Sequence, residues 1–258
     1  MADKYISFRE PGFLIIGSQK SGTSMLFHYL CRHPEIGPPV RKEVHYFDDN
    51  YHRGIEWYRS HFPPVKMFPR LISGEASPYY IFHPLAPQRV FETFPKMKLI
   101  VILKNPVDRA YSHYQHNRRE QRETRSFEEA LAGESLLLEG EKEKMCRLDN
   151  YFSENHKHFS YRARGVYIRQ FEHWSQRFPI QQFKIIDSRD LFESPIETMK
   201  DFFEFLEREP FTIKESKKRN HMDYPPMKPE TRRKLRDFFA PYNRELFRFL
   251  QRDFPWEI

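Results

Sequence analysis

The sequence predicts an α/β fold, a central parallel sheet flanked by helices in a single domain, and three observations carry that reading. Phe13-Leu14-Ile15-Ile16, Leu99-Ile100-Val101-Ile102-Leu103 and Phe183-Lys184-Ile185-Ile186 are short, mostly apolar runs of the kind that form buried parallel strands. Between and after them apolar residues recur at helical spacing, as in Tyr167, Ile168, Phe171 and Trp174, or Met199, Phe202, Phe203 and Leu206. No Ser/Gly-rich linker or composition break divides the 258 residues, whose 25 Phe and 14 Tyr suffice for a sizeable core. Strands alternating with helices are the pattern of a parallel sheet wrapped by helices.

In chain order, the strand at 13–16 enters the turn Gly17 to Ser24, and a helix resumes with Met25, Leu26, Tyr29 and Leu30. His33-Pro34 stops that helix, and Gly37-Pro38-Pro39 turns the chain into a short segment, Glu43 to Phe47, read as a strand. Gly54 to Phe62 reads as a helix burying Ile55, Trp57, Tyr58 and Phe62, and Pro63-Pro64 ends it. A brief strand over Leu71 to Glu75 and a helix from Pro84 to Phe94 precede the strand at 98–103. Pro106 suits the first turn of a helix over 107–120. Residues 126–158 begin helical and become charged, with 140–144 expected as an exposed excursion. The strand at 183–186 is followed by a helix from Pro195 to Leu206, a basic loop from Lys214 to Arg219, and a last helix from Pro229 to about Leu250 that Pro241 kinks or divides.

The stretch FLIIGSQKSGTSMLFHYL, Phe13 to Leu30, has the order strand, glycine-bounded turn, helix, and that order builds an anion site. The first turn of a helix carries amides without intrahelical partners and the positive end of the helix dipole. Lys20 adds a full charge, and Ser21, Thr23 and Ser24 add hydroxyls, so a phosphate suits the turn. Gly17 and Gly22 have the GxxxxG spacing of a nucleoside-triphosphate loop, making the site P-loop-like, yet Gly22 is followed by Thr23-Ser24 where that motif has Lys and then Ser or Thr. The second strand ends in Lys104-Asn105-Pro106, with no Asp to help hold magnesium. The residues therefore predict a metal-free site for a phosphorylated nucleotide.

The formal charge of +7 suits an anionic ligand. Nucleic acid is disfavoured, because there is no zinc spacing, basic heptad region or RNP-like strand, and bases are interleaved with acids. Two cysteines, Cys31 and Cys146, give neither a disulfide framework nor a cysteine metal site. No run reaches the ~18 apolar residues of a membrane span, and Met1-Ala2-Asp3-Lys4 lacks the apolar core of a signal peptide. The expectation is a cytoplasmic protein or the soluble part of something longer.

KSGTS after an apolar strand, together with VILKNPVDRAYSHY, resembles the sulfotransferases that use 3′-phosphoadenosine 5′-phosphosulfate (PAPS), closest to the glycan branch that includes the heparan sulfate enzymes. KEVHYFD at 42–48, GEASPYY at 74–80, GVYIRQFEHW at 165–174 and PETRRKLRDFF near the end extend the resemblance over nearly the whole chain. It implies sulfuryl transfer from PAPS to a hydroxyl on a saccharide, by direct displacement without metal, leaving adenosine 3′,5′-bisphosphate. The loop holding the 5′-phosphosulfate would be Ser18 to Ser24, with Lys20, Ser21, Gly22, Thr23 and Ser24 binding and Lys20 meeting the leaving oxygen. Lys104, where members often have Arg, and Ser112 would bind the 3′-phosphate; Arg109 between them is structural or shares that role, and Ser112 otherwise reads as a helical hydroxyl. Glu43 matches the branch's general base and His45 an assisting histidine, against an ion pair of Glu43 with Arg41 or Lys42 and a packed His45.

KESKKR loosely resembles the family's C-terminal nucleotide loop, with Lys217 or Arg219 reaching the 3′-phosphate, or is a solvated loop. Ala76 stands where the branch uses a lysine, which argues against heparan sulfate itself as acceptor. Arg41, Lys42, Trp57, Tyr79, Tyr80 and His83 are candidates to line an acceptor cleft. Golgi-anchored relatives make the Golgi lumen the alternative to the cytoplasm. The rival functions are sulfation of a small-molecule alcohol or amine, a P-loop kinase without its usual lysine, and a non-catalytic nucleotide- or polyanion-binding module.

Overall fold

A computed structural model describes residues 7–66, 69–213 and 224–256. The elements run β1 (Phe13–Gly17), α1 (Thr23–Leu30), β2 (Ile36–Gly37), α2 (Ile55–Arg59), β3 (Ile72–Ala76), α3 (Ala86–Thr93), β4 (Lys98–Leu103) and α4 (Pro106–Arg119). They continue with α5 (Phe127–Leu138), α6 (Glu141–Arg147), α7 (Glu154–His158), α8 (Tyr167–Ser175), β5 (Phe183–Asp187), α9 (Ser188–Glu193), α10 (Pro195–Phe205) and α11 (Pro229–Leu250). Contacts gather the chain into two compact units, Met1–Leu103 with Phe178–Arg219, and Lys104–Arg177 with Asn220–Ile258.

The first unit holds the whole sheet, in the order β2-β3-β1-β4-β5 with every pairing parallel. β1 lies between β3 and β4 and is buried throughout, which is why its run is uniformly apolar. Ile15 is paired with Ala76 on one side and Ile100 on the other. One core joins Phe13, Ile15, Ile100, Ile102 and Ile186 of the sheet to Leu26 and Leu30 of α1 and to Met199, Phe202 and Phe203 of α10. Five of those come from the helices read in the sequence, so the apolar pattern located that side of the core.

The second unit is helical. Pro106 opens α4, and the Asn105 side chain caps it by accepting from the Val107 amide at 3.0 Å. Ser126 and Glu129 form a capping box at the start of α5. Val107, Ala110 and Tyr114 pack with Phe127, Tyr161, Leu235 and Phe239. α11 packs against α8 and α4 and runs unbroken through Pro241. Proline removes one ladder bond and crowds the preceding turn, but Phe239 on one side and Leu246 and Phe247 on the other are buried, so packing holds both halves in one helix.

Residues 140–144 differ from the expected excursion. They enter α6, and the Glu141 carboxylate is enclosed, accepting from Lys144 at 2.8 Å, from Tyr151 at 2.9 Å and from the Ser153 hydroxyl. One face of this charged helix therefore packs inward through Glu141 and Met145, while Lys142 and Glu143 stay exposed. Hydrogen bonding, which hydropathy does not register, made the difference.

Candidate active site

The loop from Ser18 to Gly22 leaves the carboxyl end of β1, the edge where open α/β sheets carry their ligands. Ser18 anchors it to β4: its amide donates to the Ile102 carbonyl at 2.8 Å and its hydroxyl to the same oxygen at 3.0 Å. The Ser18 and Ser21 hydroxyls lie 2.6 Å apart and are buried, so the predicted donor Ser21 is engaged within the loop. Gly22 has φ +105°, a left-handed conformation that a side chain would strain, and α1 begins immediately after it. The amides of Met25 and Leu26 turn back to the Gly22 carbonyl, and no side chain caps α1 among the described residues. Thr23 is buried, Lys20 is half-buried, and Ser24 is exposed.

Glu43 comes to this loop through Lys42. The Lys42 ammonium lies 2.7 Å from Oγ of Ser24 and 2.6 Å from Oε1 of Glu43, so one cation bridges the start of α1 and the predicted base. His45 Nε2 stands 3.3 Å from the other Glu43 oxygen, and His45 Nδ1 is 2.6 Å from Oδ2 of Asp48, whose side chain is fully enclosed. Burial pushes the Glu43 carboxyl up, but the hydrogen bond from His45 and the charge and hydrogen bond of Lys42 outweigh it and hold the group down at about 2. The carboxylate is thus ionised at neutral pH and still 39% exposed.

The segment carrying these residues is not the expected strand. It is a loop, with His45 at φ +55°, because side chains rather than a neighbouring strand take its amides. Val44 donates to Oε2 of Glu75 at 3.0 Å, His45 to Oγ of Ser77 at 3.1 Å and Tyr46 to the hydroxyl of Tyr80 at 2.8 Å. Glu75 on β3 organises all three. It is fully buried, its Oε2 also accepts from Ser77 at 2.6 Å, and its Oε1 accepts from Tyr58 at 3.0 Å and Tyr80 at 2.6 Å. Burial raises its carboxyl, opposed by the hydrogen bonds of Ser77, Tyr80 and the Val44 amide. Arg89 of α3 closes the loop's far end on the carbonyls of Phe47 at 2.9 Å and Asp48 at 3.0 Å.

Glu75, Asp48 and the bridging role of Lys42 were missed by sequence reasoning. A lone acid within an apolar strand, followed by Ser77 and Tyr80, was the available signal, since a buried carboxylate needs several donors. Of the candidate cleft residues, Tyr80 is spent on Glu75 and fully enclosed, and Tyr79 and His83 are buried at 5% exposure. Trp57 is partly exposed and Arg41 exposed. Ala76 is buried in β3, its amide donating to the Lys42 carbonyl at 2.9 Å.

Lys104 and Ser112 belong to the second unit. The Lys104 carbonyl accepts from the Tyr167 hydroxyl at 2.9 Å; burial lowers its ammonium pKa while Asp108 opposes that shift. Ser112 lies on α4 at 6% exposure. Arg109 is fully buried and donates to the Tyr161 carbonyl. Lys217 and Arg219 lie outside the described residues.

The chain has known relatives. At 29% identity over 96% of this chain, it is similar to the membrane-associated sulfotransferase kil1 of Dictyostelium discoideum. At 32% over 94% it is similar to the bifunctional heparan sulfate N-deacetylase/N-sulfotransferase 4 of Mus musculus. The chain spans 66% of the length of the first of these proteins and 30% of the second. A solved sulfotransferase from Alicyclobacillus acidocaldarius superposes with a TM-score of 0.73 at 32% identity, covering 95% of this chain and 97% of that one. The family profile described as sulfotransferase domain matches residues 10–241, which takes in β1, the loop after it, the Glu43 loop and most of each unit, and the chain belongs to that family.

Proposed function

We propose that this chain transfers a sulfuryl group from PAPS to a hydroxyl on a saccharide by in-line displacement, with Glu43 as general base and Lys20 stabilising the departing phosphate oxygen. The observation that carries the reading is the Lys42 bridge, which ties an ionised carboxylate to the first turn of the helix proposed to seat the donor. The residues fit the donor: a glycine-led helix N-terminus and Lys20 suit its 5′ end, and Lys104 and Ser112 are assigned to its 3′-phosphate. Lys217 and Arg219 join them in the proposal from sequence alone. Hydrogen bonds to charged groups contribute roughly 1.5 to 3 kcal/mol each, and micromolar binding needs about 8 kcal/mol. A few such contacts at each end therefore suffice without metal.

The bound donor supplies the sulfuryl group and a phosphate leaving group. The chain does the rest. Glu43, ionised at neutral pH, takes the acceptor's hydroxyl proton as the oxygen attacks. His45, oriented through Nδ1 by Asp48, holds one oxygen of Glu43, and Lys42 holds the other. Lys20 places positive charge where negative charge develops on the leaving oxygen. His45, Asp48 and Asp49 also put three donor atoms within 4.8 Å of one another, but Nδ1 of His45 is spent on Asp48, which supports a hydrogen-bonded dyad over a cation site. A saccharide acceptor is favoured by the heparan sulfate named in the mouse relative. We place the chain in the cytoplasm on its two free cysteines, with the Golgi lumen the alternative; no described helix is long and apolar enough to cross a membrane.

Labelled PAPS, offered with oligosaccharides bearing free hydroxyls and amines, with small alcohols and amines, and alongside ATP and magnesium as rival donor, tests the reading. Label should pass to a saccharide hydroxyl. Transfer only to a small molecule would overturn the acceptor, and binding of adenosine 3′,5′-bisphosphate without transfer to anything would leave a nucleotide-binding module.

A further inference from the structure

Lys42 is held by two groups with different tasks. Ser24, at 2.7 Å from its Nζ, is the second residue of α1, exposed in a helix first turn that favours anions. Glu43, at 2.6 Å, is the proposed base. An ammonium is a compact point charge on a flexible stem, free to exchange one anion for another without rebuilding the backbone. Its side chain is 28% exposed, so room for such exchange exists. We propose that Lys42 couples donor binding to base strength: an anionic sulfonate seated at the start of α1 draws the ammonium off Glu43, leaving that carboxylate with His45 and a higher proton affinity. The inference rests on the reading of the α1 loop as donor seat and of Glu43 as base.

The charges around Glu43 are those the coupling needs. From its own loop it faces Lys42 and His45; behind His45 stand Asp48 and Asp49, and from β3 the enclosed Glu75. The α1 side contributes the neutral hydroxyl of Ser24, with Lys20 in the turn before it. Lys42 is therefore the cation that can leave Glu43 for an anion at α1 while His45, fixed by Asp48, stays. A carboxylate pinned at about 2 is a weak acceptor of an alcohol's proton, and base catalysis improves as the base's pKa rises toward the working pH. The strong base then exists only beside a seated donor.

The test is the number of protons taken up when PAPS binds without acceptor, measured by calorimetry near pH 4.5 in two buffers of different ionisation enthalpy. A carboxyl freed of Lys42 binds protons more readily than one held at about 2, so the wild type should take up protons on binding beyond the donor's own ionisation. Lys42→Met should bind PAPS with much smaller uptake, since its Glu43 has no Lys42 ammonium to lose. Glu43→Gln should bind with none beyond the donor's own. Lys42→Arg, which keeps the charge, should restore part of the uptake and supplies the comparison if Lys42→Met fails to fold.

Equal uptake in wild type and Glu43→Gln overturns the coupling while leaving the donor reading intact. Absence of PAPS binding to the wild type overturns the donor reading and the coupling together. Normal turnover by Glu43→Gln would remove Glu43 as base, and the coupling's catalytic meaning with it.

Discussion

The Tyr80 hydroxyl donates to Oε1 of Glu75 across 2.6 Å, with both side chains fully enclosed. The same hydroxyl accepts from the Tyr46 amide at 2.8 Å, so it joins a buried carboxylate to the backbone of the loop that carries Glu43 and His45. Burial pushes the Tyr58 and Tyr80 hydroxyls well above their usual range, and both remain protonated donors at any working pH. A buried carboxylate with this many donors is a fixed post from which a non-repetitive loop can hang.

Tyr80→Phe should therefore act on stability and catalysis together. It leaves the Tyr46 amide and one carboxylate lone pair without partners, a loss of about 1 to 3 kcal/mol. Urea unfolding should show the midpoint fall with an unchanged slope. kcat should drop as the Glu43 loop loses its anchor, while donor affinity holds, because the 18–24 loop hangs from Ile102 instead. An unchanged unfolding midpoint would mean that the hydroxyl carries no weight in holding the loop.

Glu43→Gln keeps the shape of the side chain and removes its basicity. A positioned base contributes about 10² to 10⁴ in rate, so kcat should fall at least about a hundredfold. PAPS should still bind, at least as tightly as to the wild type, because Lys42 no longer has to leave a carboxylate for the donor. Near-normal turnover would exclude Glu43 as the base.

The sheet and the strand-turn-helix course at its first strand were legible because their signals are local. A short apolar run ahead of a helical pattern marks a buried strand feeding a helix, and β1, β4 and β5 lie where such runs stand. The Glu43 loop was half legible. Spacing brought Glu43 and His45 together, yet for the wrong reason, since a strand was expected where amides are taken by Glu75, Ser77 and Tyr80 from some 30 residues away. No periodic pattern records a side chain satisfying a distant backbone. The same blindness hid Glu141, whose three donors turn a charged stretch into a packed helix.

Acid stability should carry the signature of Glu43. Its folded pKa of about 2 lies below the ordinary 4.5, so the unfolded chain binds the proton more readily, and stability rises with pH between the two. The contribution is fully present above 4.5 and is lost as pH falls through 2. Glu43→Gln should thus unfold more easily than the wild type at pH 6, with the gap closing toward pH 2.5. The gap should be small, because the side chain is partly exposed and solvent screens its ion pairs. A gap independent of pH would contradict the assignment.

Specificity for the 3′-phosphate gives the sharpest separation of Lys104 from its neighbours. Lys104 sits where the chain leaves β4, its carbonyl fixed by Tyr167 and the following helix start capped by Asn105, so its backbone is held before any ligand arrives. Arg109, fully buried on the Tyr161 carbonyl, should give only unstable protein when substituted. Lys104→Met should fold and lose one charged contact, about 1.5 to 3 kcal/mol, or roughly a tenfold to hundredfold weaker grip on PAPS. Adenosine 5′-phosphosulfate, which lacks the 3′-phosphate, should bind the variant and the wild type alike. Competition between the two donors reads that difference directly. An equal loss for both would move Lys104 from the 3′-phosphate to some other part of the nucleotide, and the assignment of Ser112 beside it would fall at the same time.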